Sequence, residues 1–366
     1  MDQRGAVEML VRRESWNGRR VLVTGHTGFK GGWLALWLHQ LGADVTGFAL
    51  PATRPSFFDQ TRLAELVTPV EGDIRDAATF EQAIIDARPE LIFHLAAQPL
   101  VRASYAEPVE TWATNVMGTA HLLDACRRID SVRALVCATS DKCYENRETE
   151  TPYRETDAMG GHDPYSSSKG AAEIAIAAFR RSYFAQRPLV ASVRAGNVIG
   201  GGDWAEDRLV PDIVRALLAG ERPQIRNPHA VRPWQHVLDA LSGYLLVGQR
   251  LLNGEGNVAD AWNFGPADDD TRPVAFVADT MLQSWGAAGW DSPALDQPHE
   301  ATLLKLDCTK ARSLLGWAPR LPLEHSLALV ADWHKKVAAG ADARGVSVEQ
   351  IEGYQALHEV GQTAWA

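Results

Sequence analysis

Long apolar runs are missing from this chain. No stretch approaches the roughly 20 consecutive apolar residues that cross a bilayer, and residues 1–15 carry charges without an apolar segment of signal-peptide length. Export and membrane anchoring are therefore not expected, and a cytoplasmic setting is. Cysteine is scarce: Cys126, Cys137, Cys143 and Cys308 are the only four in 366 residues, with neither Cys-x-x-Cys spacing nor the density of a secreted disulfide scaffold. That usage fits a reducing compartment, and no metal site is expected. Positive charge is in the minority, with 36 Lys and Arg against 46 Asp and Glu and a net of −10. The balance argues against a nucleic-acid or anionic-membrane surface while leaving room for a local basic pocket for phosphates. Internal repeats and low-complexity segments are absent as well.

What is present is apolar residues in quantity, 46% of the chain, enough for two lobes or one large α/β body. Arg20-Val21-Leu22-Val23-Thr24 reads as a short buried strand. It runs into Gly25-His26-Thr27-Gly28-Phe29-Lys30-Gly31 and then an apolar helix from Trp33 to Leu38. In that context the glycine spacing acquires meaning: the backbone turns sharply and approaches a pyrophosphate, whose charge faces free N–H groups at the helix N-terminus. Gly25, Thr27, Gly28, Phe29, Lys30 and Gly31 are the candidate dinucleotide residues, against the plainer reading of a βα turn. Further strands are expected at 44–50, 67–73, 91–98, 133–139 and 189–194, which makes the fold an α/β, doubly wound parallel sheet of Rossmann type.

The second strand lacks the terminal acidic residue that ordinarily holds the ribose of NAD. Arg54, just beyond, suggests NADP or is a solvated loop residue. Asp73, followed by Ile74, either meets an adenine amino group or caps the next helix. Ala96, Ala97 and Gln98 end the apolar strand that starts at Leu91, and small residues there leave room for a cofactor in the crevice. Asn115 falls in a helical pattern and, like His94, is read first as structural support.

Ser140-Asp141-Lys142 arrives at the end of the strand 133–139, about 25 residues before Asp163-Pro164-Tyr165-Ser166-Ser167-Ser168-Lys169. Asp163 is a good N-cap and Pro164 a good first helical residue, so Tyr165 and Lys169 share a helix face one turn apart. An ammonium beside a phenol favours phenolate, at about 1.4 kcal/mol per pKa unit, and such a Tyr takes a proton from an alcohol.

After Val193-Arg194 the pattern changes to a loop, Ala195 to Trp204, and the lobe boundary is set near Gly196. The first lobe is 16–195, completed by parts of 233–265. The second is a smaller mixed α/β substrate lobe within 196–340, mainly 196–232 and 266–340. It holds Arg208, Arg215, Arg226, Asn227, Arg232 and His236, a basic set that suits a diphosphate, scattered surface arginine being the plainer reading for any one of them. The tail from Gly340 to Ala366 carries no functional signal.

Together these pieces resemble the extended short-chain dehydrogenase/reductase family from Val21 to about Trp333. The residues that carry the resemblance are Gly25/Gly28/Gly31, Tyr165/Lys169, Arg194-x-x-Asn197 and Asp307-x-x-Lys310-Ala311-x-x-x-Leu314-Leu315-Gly316-Trp317. Longer stretches look like its CDP-glucose 4,6-dehydratase branch: Gly25 to Gly31, Thr139 to Tyr144, Arg194 to Trp204 and Arg232 to Val237. The resemblance implies bound NAD, Arg54 notwithstanding, and as substrate CDP-glucose or another nucleotide-diphosphate sugar, the cytosine resting on resemblance alone. It implies C4 oxidation, loss of water across C5 and C6, and hydride return to C6.

In this reading Tyr165 is the base at the C4 hydroxyl, with Lys169 lowering its pKa and holding the nicotinamide ribose. Ser140 hydrogen-bonds the reacting oxygen, and Asp141 is the acid. The base at C5 stays open between Lys142 and another group, since the related dTDP-glucose dehydratases carry Glu there. Asn115, Asn197, Arg208, Arg226, Arg232 and His236 form the expected substrate set. A sugar-nucleotide epimerase or reductase, and a non-catalytic NAD-sensing protein, are the alternatives. Apolar stripes on helices near Glu107–Arg128 and Pro164–Tyr183 suggest a homodimer, or core packing within one subunit.

Overall fold

An unbroken apolar run is stable as a strand only where both sheet faces are covered. Leu91-Ile92-Phe93-His94 and Ala134-Leu135-Val136-Cys137 meet that condition, buried at every position. The computed structural model of the chain describes residues 11–292 and 304–359.

After a short α1 (Arg13–Trp16) the chain alternates through β1 (Arg20–Thr24), α2 (Phe29–Gln40), β2 (Asp44–Ala49), α3 (Phe57–Gln60), β3 (Thr68–Glu71), α4 (Ala77–Ala87) and β4 (Leu91–His94). Then come α5 (Val101–Ala106), α6 (Pro108–Trp112), α7 (Gly118–Cys126), β5 (Ala134–Ala138), α8 (Pro164–Ser182) and β6 (Leu189–Ala195). With β9 (Ala261–Phe264) the strands form one seven-stranded sheet, ordered β3-β2-β1-β4-β5-β6-β9, parallel at every pairing. The order reverses between β1 and β4, so a crevice opens there at the carboxyl ends of the strands. One face is covered by α2, α10 (Val237–Leu252) and α13 (Ala343–Glu359) through Trp33, Trp37, Tyr244 and Tyr354. The other is covered by α4, α7 and α8 through Phe80, Leu122 and Ile176.

The second sheet is small and mixed, ordered β10-β8-β7: β7 (Asn197–Ile199) runs parallel to β8 (Val231–His236), and β10 (Thr271–Pro273) antiparallel to it. It packs with α9 (Leu209–Ala219), α11 (Val274–Trp285) and α12 (Leu323–Ala338) around Ile213, Val277, Met281 and Leu327. All four cysteines are buried and unpaired.

One local expectation needs correction, and two helices add detail. The stretch after β6 is not wholly a loop: Asn197–Ile199 pairs with Trp234–His236, because its alternation continues the chain directly into the second sheet. Residues 343–359 form α13, whose Tyr354 hydroxyl donates to Asp239 at 2.8 Å in the core. The helix expected around Glu107–Arg128 is present from Pro108 to Cys126 and carries a π turn, Ala113–Met117, which widens the backbone at Asn115.

Candidate active site

The glycine loop shows why those residues are glycines. Gly25 sits at φ +76, where a side chain is strained, and a Cβ on it would stand 2.8 Å from the Ala96 nitrogen. A Cβ on Gly31 would stand 2.1 Å from the Gly25 carbonyl oxygen. Thr27 ties the loop to the end of β2 by donating to the Leu50 carbonyl at 3.0 Å. The N-cap of α2 is Gly28 and no side chain caps it, so N–H groups of the first turn are left for a ligand. Ala96, Ala97 and Gln98 follow β4 across the switch point, half-buried. A tight glycine turn, an uncapped helix start and small residues opposite it fit the diphosphate of a dinucleotide.

Asp73 is held by Arg75, whose guanidinium donates twice to Oδ2, the closer contact 2.5 Å, and whose backbone nitrogen donates to Oδ1 at 2.8 Å, and this bonding pulls the carboxyl below its ordinary range. It does not cap α4. Asp76 does, accepting from Ala78 and Thr79 at 3.2 Å each. Ile74 packs under Gly118, where a Cβ would come within 2.5 Å of it. Arg54 is a solvated loop residue, 84% exposed and paired with Asp59.

A cavity lies between the two sheets, lined by Phe29 and Lys30 from the glycine loop, Ser140, Asp141 and Lys142 after β5, and Tyr165 from α8. Its far wall carries Asn197, Arg208, Arg226 and Arg232. Residues distant in sequence thus meet at the strand ends, as the topology requires.

Ser140 caps the short 3₁₀ turn Asp141–Cys143, accepting from the Lys142 nitrogen at 3.2 Å and donating to Asp141 Oδ1 at 2.9 Å. Asp141 is buried, and the loss of water raises its pKa above the ordinary value despite Lys142, Ser140 and Arg232. A carboxyl whose pKa is raised in a cleft is better suited to donate a proton than an exposed one. Gly196 makes room for it, since a Cβ there would stand 2.7 Å from Asp141 Oδ2. Lys142 is half-buried.

Asp163 and Pro164 start α8, Asp163 accepting from the Ser166 nitrogen at 2.9 Å. The Tyr165 nitrogen donates to Ser104 Oγ at 3.1 Å, fixing the residue against α5. Tyr165 and Lys169 lie one turn apart on α8, both buried. Burial pushes Tyr165 up to about 12, outweighing the hydrogen bond from Ser140 and the charge of Arg208, which pull it down. Lys169, its ammonium 6.0 Å from the ring centre, is itself brought down to about 8 by burial and then by Lys30. Lys30 falls to about 8 as well, through burial and Arg208.

Two of the expected substrate residues are elsewhere. His236 is fully buried as the N-cap of α10, its Nδ1 accepting from the Leu238 nitrogen at 3.3 Å. Asn115 is committed to structure, accepting from the Gln98 nitrogen at 2.9 Å and donating to the Gln98 carbonyl and to Ser168 Oγ. His94 likewise links β1 to α7 through Thr24 and Thr119.

Arg208 pairs with Asp203 at 3.2 Å, Asn197 donates to the Pro233 carbonyl, and Arg232 donates to the Val231 carbonyl. The sequence reading missed Arg102, Asp203, Asp207 and Asp212, which line the same cavity. Arg102 and Asp207 pair across 105 positions of sequence, and no local pattern signals such a contact.

A family model describing GDP-mannose 4,6 dehydratases matches residues 22–329, both sheets and the whole cavity included. The chain belongs to the GDP-mannose 4,6 dehydratase family. Among relatives of this dehydratase family, CDP-glucose 4,6-dehydratase of Salmonella typhimurium is 50% identical over 94% of this chain and 98% of that protein. The solved UDP-glucose 4-epimerase of Thermus thermophilus, in complex with NAD, superposes with a TM-score of 0.75 at 25% identity, covering 86% of this chain and 99% of that one. A dTDP-glucose 4,6-dehydratase from Streptomyces venezuelae gives a TM-score of 0.75 at 24% identity, covering 89% and 99% respectively, and shows the shared fold.

Proposed function

We propose that this member of the GDP-mannose 4,6 dehydratase family converts CDP-glucose to CDP-4-dehydro-6-deoxyglucose by internal redox dehydration, with NAD as its resident cofactor. The observation that carries the reading is the 50% identity to a CDP-glucose 4,6-dehydratase over nearly the full length of both chains. Gly25, Thr27, Gly28, Phe29, Lys30 and Gly31 hold the cofactor's diphosphate, Asp73 and Ile74 its adenosine end, and Ala96, Ala97, Gln98, Tyr165 and Lys169 its nicotinamide end. The chemistry NAD supplies when bound is reversible acceptance of a hydride.

The chain's own residues handle the protons. Tyr165 takes the proton of the C4 hydroxyl, while Ser140 hydrogen-bonds that oxygen. The resulting ketone acidifies C5, whose proton passes to a base, Lys142 in its amine form or another group, while Asp141, its pKa raised by burial, protonates the departing C6 hydroxyl; a proton then returns to C5 as hydride returns to C6. Asn197, Arg208, Arg226 and Arg232 bind the nucleoside diphosphate. An epimerase on this fold has the same use for Tyr165 and Lys169 but none for a proton donor at Asp141.

The enzyme works as a cytoplasmic homodimer. Support for pairing comes from apolar side chains left exposed on the two expected helices, Val109, Trp112 and Met117 on one and Ile174 and Tyr183 on the other. Among the described residues no helix is long and apolar enough to cross a membrane. Light scattering that returns one chain's mass, 40.0 kDa, removes the dimer. For the reaction, CDP-, dTDP-, UDP- and GDP-glucose are incubated separately with the protein and NAD and followed by mass spectrometry. Loss of one water, about 18 Da by stoichiometry, from CDP-glucose is the expected result. Loss only from another nucleotide sugar refutes the base, and loss from none refutes the dehydration.

A further inference from the structure

Asp207 sits in the loop between β7 and α9, in a left-handed backbone conformation at φ 60. Its Oδ1 accepts two charged hydrogen bonds, from Arg226 Nη1 at 2.7 Å and from Arg102 Nη1 at 3.2 Å. Arg102 comes from α5, on the body of the seven-stranded sheet, and Arg226 from the second lobe, so the three residues bridge the two sides of the cavity they line. Two guanidinium groups converging on one oxygen are what a phosphoryl oxygen also requires. Asp203 differs, since it is buried and also accepts from its own loop at the Ala205 nitrogen while pairing with Arg208.

We propose that Asp207 is a placeholder anion: it occupies arginines that a ligand's diphosphate takes over, and it latches the two sides of the cavity together until that exchange. The inference rests on the nucleoside-diphosphate reading above. Side-chain exposures of 42%, 41% and 26% for Arg102, Asp207 and Arg226 leave the pairs open to water, where each is individually weak. A diphosphate brings at least two negative charges and several acceptor oxygens against one carboxylate, so the exchange runs toward the ligand. The cost of the latch is affinity, because the ligand must first displace Asp207.

The test is calorimetric titration of CDP and of inorganic pyrophosphate into the full chain and into Asp207→Asn and Asp207→Gly. Both replacements tolerate the left-handed backbone and remove the carboxylate charge. Asp332→Asn, an α12 residue paired with Lys336, controls for the same loss of charge away from the cavity. Both ligands are expected to bind about three- to tenfold tighter to the Asp207 variants, the range set by removing weak competing ion pairs. Binding should also fall more steeply with salt, while Asp332→Asn stays within about twofold. Unchanged or weaker binding in both Asp207 variants overturns the latch alone. A wild-type chain that binds neither CDP nor pyrophosphate overturns the diphosphate reading and the latch with it.

Discussion

Replacing Gly196 by Ala places one methyl group against the proposed acid and little else. The added Cβ would lie 2.7 Å from Asp141 Oδ2 and 3.3 Å from its Cγ, with Pro233 at 3.7 Å. The oxygen contact is about 0.7 Å inside van der Waals distance, so the carboxylate must retreat by roughly that amount. Gly196 is not among the glycines with positive φ, which removes backbone strain from the argument. Asp141 is short and end-on to the intrusion, so the stability loss should stay near the lower bound for overpacking, about 1 kcal/mol. Activity should suffer more: a misplacement approaching 1 Å costs roughly 10- to 100-fold, or about 1.4–2.7 kcal/mol in barrier.

The assay is kcat for water loss from CDP-glucose, in Gly196→Ala, Asp141→Asn and the double variant. If the methyl acts through the carboxyl, the double variant is no slower than Asp141→Asn alone, because contacting residues are not additive. Gly256→Ala, with open space around its Cβ, serves as the control. A Gly196→Ala enzyme within about twofold of wild type, or losses that multiply in the double variant, refutes the geometry.

Two further predictions concern buried charges. Glu173 receives Arg194 bidentately at 2.9 and 2.8 Å, with Thr139 and Ser192 also donating, and both charged side chains are 4% exposed or less. Glu173→Gln strands the guanidinium and should cost about 3–5 kcal/mol in urea unfolding; a loss under 1 kcal/mol contradicts this. Asp239 is fully buried, bonded by Arg320, Leu321 and Tyr354, and burial lifts its carboxyl to about 7. The folded chain therefore keeps a proton that the unfolded chain releases, and this contribution is full below about pH 4 and lost as pH rises through 7. Asp239→Asn should flatten that decline, its stability deficit at pH 5 shrinking by pH 8; equal deficits at both pH values refute the assignment.

Local spacing made part of the site readable. The glycine loop and Ser140-Asp141-Lys142 lie where a strand gives way to a helical turn, and Tyr165 lies in the first turn of α8 behind its cap, so a short motif and its context sufficed, and Arg208, Arg226 and Arg232 do reach one cavity. What failed depends on three-dimensional surroundings. His236 looked like a ligand residue next to Arg232, but β8 turns it inward to cap α10. The burial that raises the Tyr165 phenol and lowers the Lys169 ammonium likewise lies outside local spacing. The tail carried no functional signal in the sequence, and in the structure Val346, Ile351, Tyr354 and Leu357 form a buried helical face. Arg102 and Asp207 share no local signal at all.

The central claim is that hydrogen leaving C4 of the sugar returns to C6 of the same molecule. CDP-glucose carrying deuterium at C4 is turned over in ordinary water, and the product is read by deuterium NMR. Deuterium in the C6 methyl group is the predicted result. Deuterium retained at C4, or absent from an otherwise dehydrated product, contradicts internal redox catalysis.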